Sequence, residues 1–219
     1  MIKKQNVISK IPTKEAWYRV TATLLNQWQR IFDAKNEVFS SDNDTISYEE
    51  KLEIEQEKRL EEFINLLKRI PTPDNEYMKK GREYEQLVCS GQDEEFSPII
   101  ANGAFQVKLT KKVYVNGMPI ILYGVLDVLK AGRIYDIKRV VRYQARKYKG
   151  SHQHPMYLYL APSTWDFTYL VCDDKNNHHY ENYIRENCED ILEVISQFLS
   201  WLKSRDLFDI FIQNWAMYA

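Results

Sequence analysis

Apolar residues recur at spacings of three and four between residue 13 and about residue 33. Trp17, Val20, Leu24, Trp28 and Ile31 form one stripe and predict an opening helix. Ser40 to Asp44 is polar and predicts a loop. Ser47-Tyr48-Glu49-Glu50 is a capping-box pattern, in which a serine hydroxyl takes the N–H three residues on. It opens a charged helix carrying Leu52, Leu60, Phe63 and Leu67 on roughly one face. Pro71 and Pro73, which lack a backbone donor, end it. A third helix is expected over 76–90.

From Phe105 the pattern changes to β-rich runs. Asn116-Gly117 between two such runs is a hairpin signal, because both residues tolerate the positive φ of a tight turn. Strands are expected over 105–115, 118–129 and 133–140, and a short helix over 152–161. Strands at 165–172 and 179–185 follow, joined by a turn at Asp173 to Asn177. A helix starting near Asn187 carries Ile191, Leu192, Ile195, Phe198, Leu199 and Leu202 at helical spacing. Helices, then a sheet with one inserted helix, then a closing helix predict a mixed α/β (α+β) fold, with an antiparallel-to-mixed central sheet flanked by helices. The expected division is an N-terminal helical extension over 1–75 and a core over 76–219.

A length of 219 residues, with 28% charged and 44% hydrophobic side chains, suits a chain that buries a real core. The net charge of −1 excludes a protein basic all over, but leaves room for a local basic groove. Cys89, Cys172 and Cys188 are too few and too scattered for a disulfide framework or a zinc site. No apolar run is long enough to span a membrane, and residues 1–6 lack the apolar stretch of a signal peptide. A cytoplasmic location without membrane association is the expectation.

The candidate chemistry lies in two apolar runs joined by Ala131-Gly132-Arg133. The first carries Asp127, the second Asp136-Ile137-Lys138. Acid-x-Lys occurs four times in the chain, but only this copy sits inside a β run with another in-strand acid nearby. Asp136 and Lys138 share a strand face, with Ile137 on the opposite side. Carboxylates on an apolar sheet are costly unless something organises them. A divalent metal with an attacking water would do so: Mg²⁺ takes hard oxygen ligands, and a neighbouring lysine can orient or deprotonate the water, its pKa lowered by nearby cations. The alternative is a cross-strand salt bridge between one aspartate and Lys138.

Between Ile137 and Trp165 there is no acid. Lys138, Arg139, Arg142, Arg146, Lys147 and Lys149 lie there, with Tyr143 and Tyr148 interleaved and His152 and His154 beyond. This suggests a wall that tracks a nucleic-acid backbone, the alternative being a solvated basic loop. The two histidines, without a partner cluster, are weak candidates as metal ligands. Gln153 and Tyr157, four apart, would share a helix face and reach a phosphate or brace Lys138. Pro155 is tolerable only in a first helical turn. Tyr157 can equally be a core aromatic. Asp93, Glu94 and Glu95 read as a polar loop.

These residues resemble the PD-(D/E)xK nuclease superfamily, in its RecB-like and phage-exonuclease branch. Gly81-Arg82-Glu83-Tyr84-Glu85 resembles the helix element whose acid completes the metal site; Glu85 fits it, with Glu83 as competitor. Gly124-Val125-Leu126-Asp127 resembles the Gly-x-x-Asp strand, and Asp136-Ile137-Lys138 the acid-x-Lys strand. Gln153-His154-Pro155-Met156-Tyr157 resembles the Gln-x-x-x-Tyr helix. The resemblance spans about 81–157. It implies a restriction-endonuclease-like core and a Mg²⁺-dependent (or Mn²⁺-dependent) deoxyribonuclease leaving 5′-phosphates. It further implies metal ligation by Glu85, Asp127, Asp136 and the Ile137 carbonyl, catalysis by Lys138, and a phage-type recombination or repair role with DNA and a recombination protein as partners. Relatives with an iron–sulfur cluster carry four cysteines, so no cluster is expected here. A site-specific endonuclease, or a non-catalytic nucleic-acid- or partner-binding module on the same fold, are the rival expectations.

Overall fold

The computed structural model describes residues 16–38 and 46–218; the loop expected at Ser40–Asp44 lies outside them. In chain order the elements are β1 (Ala16–Thr21), α1 (Ala22–Glu37), α2 (Tyr48–Leu67), α3 (Glu76–Cys89), α4 (Phe96–Ile100), β2 (Ala104–Val115), β3 (Met118–Lys130), β4 (Arg133–Val140), α5 (Gln153–Leu160), β5 (Asp166–Asp173), β6 (His178–Ile184), α6 (Ile191–Ser204), α7 (Phe208–Trp215) and β7 (Ala216–Tyr218). The strands form one mixed sheet in the order β6-β5-β4-β3-β1-β7, with β2 also on β3. Helices flank it, so the fold is mixed α/β. β1–β3 and β4–β5 are parallel, and the other pairs are antiparallel. The parallel β4–β5 step needs a crossover, which the segment containing α5 supplies.

The caps follow sequence chemistry. The Ser47 hydroxyl accepts the Glu50 N–H at 3.1 Å, and Asn75 accepts the Met78 N–H at 2.9 Å. Asn116 and Gly117 have φ of 51° and 75°, as the β2–β3 turn requires. α2 stops at Leu67, ahead of the prolines. Arg69 turns left-handed (φ 56°) and the Ile70 N–H reaches back to the Asn65 carbonyl.

The opening helix starts later than its periodicity suggests, because Ala16–Thr21 is a strand. Trp17 and Val20 fall on opposite faces of it: Val20 is in the core, whereas Trp17 packs against Tyr114. The aromatic and β-branched run Trp-Tyr-Arg-Val-Thr favours extended backbone. The Thr21 hydroxyl then caps α1 through the Leu24 N–H. The boundary expected at residue 75 does not divide the sheet, since β1 sits between β3 and β7.

The larger core lies where α1, α2, α5, α6 and α7 cover one sheet face, around Leu24, Phe63, Leu122, Phe198 and Phe211. The smaller lies on the other face, where Val88, Phe96 and Ile100 of α3 and α4 meet Val128, Ile137 and Leu170.

β3 carries the feature that creates the site. One edge pairs with β2 along nearly its whole length. The other edge is shared: β1 takes Ile120–Tyr123 and β4 takes Val128–Lys130. Between them, from Gly124 to Asp127, that edge has no strand partner, and the sheet forks. Leu126 belongs to the larger core and Val128 to the smaller, so β3 turns over at Asp127. Its opposite number Gln106 has φ 50°, and the ladder skips that pair.

Candidate active site at the fork of the sheet

Asp127, Asp136, Lys138, Gln153 and Tyr157 meet at this fork. The Ile137 N–H donates to Asp127 Oδ2 at 2.9 Å, where a β3–β4 ladder bond would otherwise lie. Asp136 is 1% exposed. Its Oδ1 accepts from Gln153 Nε2 at 2.5 Å. Its Oδ2 is engaged by the Lys138 ammonium in a close ion pair. Helix α5 begins at Gln153, which leaves Pro155 in the first turn and lets Gln153 reach down to the sheet. Tyr157 is buried one turn on, over Gly124. A Cβ on Gly124 would lie 2.6 Å from Tyr157 Cε1, so the glycine makes room for the ring.

Glu85 of α3 approaches the cluster from the side of β2. Its Oε1 accepts from Gln106 Nε2 at 2.6 Å, and its charge is felt by Asp127. Glu83 points to the surface, 3.8 Å from Lys79.

The cluster holds three acids against one ammonium, and the excess shows in its protonation. Burial, with the charge of Asp136 added, pushes Asp127 up to about 8. Burial raises Asp136 too, against the opposing pull of Lys138 and Gln153. Glu85 is raised by burial and by Asp136. Burial alone would lower Lys138, but Asp136 and Asp127 overcome it and hold the ammonium above the ordinary lysine value. The depressed lysine expected beside a second cation is thus not the state of this protein by itself. Burial likewise pushes Tyr157 up to about 12.

Hard oxygen donors carrying surplus negative charge suit a divalent cation such as Mg²⁺, which would compete with Lys138 for Asp136. The three carboxylates are not gathered into a ready coordination sphere: among the described residues, no three Asp, Glu, His or Cys side chains stand close enough to hold a metal ion. Lys138 fills the space beside Asp136, and Gln106 holds Glu85.

The basic segment behaves less uniformly than its composition suggests. Arg142, Arg146, Lys147 and Lys149 are exposed. Arg139 instead lies over the Tyr84 ring and bonds Cys172, Asn176 and Asp174. Tyr143 stacks on His179 at 4.0 Å and Tyr148 on Tyr169 at 4.3 Å, so both rings are already occupied. Buried Glu181 anchors the segment by accepting the N–H groups of Lys147 and Tyr148. A surface hollow of about 780 Å³ lies beside it, lined by Arg146, Lys149 and Tyr183 but by none of the fork acids. His152 bonds Glu189, and buried His154 stacks on Tyr183 at 3.9 Å; neither reaches the acids. Asp93 is not simply part of a polar loop: it is buried and accepts from Tyr84 and from the Phe96 N–H.

Gln106 belongs to no motif in the sequence. Counting back from the Asn116-Gly117 turn places it opposite Asp127, so the hairpin register contained the signal. Tyr169, opposite Asp136 on the parallel strand β5, carries no such signal, because a crossover rather than a turn joins the two strands.

No protein-family model matches the chain, and no curated protein matches by sequence. Among solved structures, the fold is similar to that of SSO0001, with a TM-score of 0.52 at 10% identity over 88% of this chain and 80% of that one. A second similarity is to a Eubacterium rectale protein whose name proposes an exonuclease, with a TM-score of 0.42 at 12% identity over 98% of this chain and 88% of that one. The class these observations define is a mixed α/β fold with a carboxylate–lysine cluster at the fork of its sheet. No helix among the described residues is long and apolar enough to cross a membrane.

Proposed function

We propose that this chain is a metal-assisted nuclease that hydrolyses DNA phosphodiester bonds at the fork between β3 and β4. The single observation that carries the reading is the surplus of carboxylate around Lys138, where Glu85, Asp127 and Asp136 face one ammonium. Such an arrangement costs stability unless a cation or a function requires it. The order of Glu85, Asp127, Asp136, Lys138, Gln153 and Tyr157 along the chain supports the PD-(D/E)xK reading, in which the restriction-endonuclease-like core would comprise the sheet around these residues.

Asp127, Asp136 and Glu85, with the Ile137 carbonyl, would hold Mg²⁺ or Mn²⁺. When bound, the ion would neutralise phosphate charge and acidify a water. Lys138 keeps 30% of its side chain accessible, so it can meet water and substrate while tethered to Asp136. Its role is to orient the attacking water and to offset charge on the phosphate. Gln153 fixes Asp136, and Tyr157 shields the cluster from solvent. Arg142, Arg146, Lys147 and Lys149 would bind the phosphate backbone. By the same resemblance, the cut is exonucleolytic and serves recombination or repair.

A second reading is favoured by the Lys138–Asp136 ion pair, which closes the site without a metal: a binding module with no chemistry. Incubation of linear and circular DNA with Mg²⁺ separates the readings. Mononucleotides from linear DNA alone, lost in Asp127→Ala and Lys138→Ala, are expected. Nicked circles would make it an endonuclease, and identical behaviour of all three proteins would leave only binding.

A further inference from the structure

Neither core covers β1, β2 and the first half of β3 on the face that carries the smaller core. Beside the fork, the side chains of Arg19 on β1, Lys108, Thr110 and Lys112 on β2, and Tyr123 on β3 alternate with core-facing neighbours and belong to neither hydrophobic cluster, with Trp17 buried beneath them. Ladder register sets them side by side: Thr110 is opposite Tyr123, Lys112 opposite Ile121, and Arg19 opposite Ile121 on the other edge. Cations and rings interleave. Arg19 lies 4.9 Å from the Tyr123 ring centre, Lys112 4.7 Å from that of Trp17. Trp17 in turn meets Tyr114 at 5.2 Å.

No acidic residue occurs in β1, in β2, in β7 or in β3 before Asp127. In a chain of net charge −1, that is a marked separation of charge. Residues 1–15 add Lys3, Lys4, Lys10 and Lys14 against Glu15 alone, so they bring no neutralising charge. The face also has a direction. Running down β2 from Tyr114 through Lys112, Thr110 and Lys108, the next side chain on it is Gln106, which bonds Glu85 beside Asp127. At about 3.4 Å per residue, the run from Tyr114 to Gln106 is about 27 Å, room for a short stretch of nucleotides.

We propose that this face is a track for single-stranded DNA that delivers the strand to Glu85 and Asp127. The exposed Tyr114 ring can stack on an unpaired base while the phosphates meet lysine and arginine; a duplex hides its bases and offers only phosphates. The destination rests on the nuclease reading, but the binding does not.

The test is fluorescence anisotropy of a labelled oligo-dT with the full chain in EDTA, where no cleavage occurs. Lys108→Glu/Lys112→Glu, both exposed positions, is expected to weaken binding by about tenfold or more and to flatten the salt dependence by about 1.4 log units per log unit. Lys108→Gln/Lys112→Gln should fall between. Equal affinity of wild type and charge-reversed protein overturns the track. So does tighter binding of a duplex with the same loss, or a chain that self-associates through this face and dissociates in the same variant. Loss of oligo-dT binding in a protein without nuclease activity would keep the track and end the nuclease reading.

Discussion

The backbone N–H of Ile137 donates to the carboxylate of Asp127 at 2.9 Å, across the point where β3 and β4 part. One side chain thereby replaces a ladder bond and brings the acid of one strand against Asp136-Ile137-Lys138 of the next. That tether favours the ionised carboxylate, but burial and the neighbouring acids outweigh it. Asp127 holds its proton up to about pH 8 in the folded chain, against an ordinary carboxyl near 3.8. The folded state therefore binds more protons between these values, and its stability falls as pH rises through that window. Asp127→Asn keeps an acceptor for Ile137 and removes the charge. It is expected to make the metal-free protein more stable than wild type at pH 9, by at most about 6 kcal/mol, while abolishing activity. Denaturant melts at pH 5 and pH 9 check this; a wild-type excess at pH 9 would refute it.

Gly124→Ala places a methyl group 2.6 Å from Tyr157 Cε1 and 3.1 Å from Leu160 Cδ1. Both contacts are with side chains packed in the core, so the expected cost is about 1–3 kcal/mol, with α5 displaced and Gln153 drawn from Asp136. A double-mutant cycle with Tyr157→Ala should show coupling, because removing the ring removes the clash. Additive costs would mean that the ring does not decide the glycine.

Much of this geometry is written locally in the sequence, and some is not. The Asn116-Gly117 turn fixes the β2–β3 register, and Ser47 and Asn75 fix helix starts, because each acts within a few residues. Trp17 and Val20 mislead: their spacing mimics a helix, yet it arises from two faces of a strand whose partner lies a hundred residues away. α7 and β7 are hard to read from the sequence: Phe208, Phe211 and Trp215 carry helical spacing, but the dense apolar pattern of α6 just before overshadows it. At the site, the strand acids and Lys138 are legible by alternation. The occupied state of Arg139, Tyr143 and Tyr148 is not, because their partners come from α3, β5 and β6.

His154 is buried between Tyr183 and Tyr169, and burial holds it near 4, below its ordinary 6.5. The unfolded chain takes up its proton first as pH falls, so stability is full above pH 6.5 and declines as pH drops toward 4. The loss amounts to at most about 3 kcal/mol. His154→Phe is expected to flatten that part of the stability–pH curve even though it forfeits the Tyr169 contact. An unchanged acid limb in the variant would show that another group sets it.

Divalent cation should act on stability before any substrate is present. The fork carries carboxylates raised by burial and by one another, and a bound ion would relieve that repulsion in the folded state alone. Mg²⁺ or Mn²⁺ at about one hundred times its dissociation constant is expected to add about 2.7 kcal/mol, reversed by EDTA. The gain should disappear in Asp136→Asn, which leaves Gln153 and Lys138 without their shared carboxylate. It should persist in Lys138→Met, which removes the competing ammonium and frees Asp136 Oδ2 for the ion. A stabilised wild type with an unstabilised Lys138→Met would mean that the lysine, not the acids, organises the site, and the assignment of Asp136 as a ligand would fall.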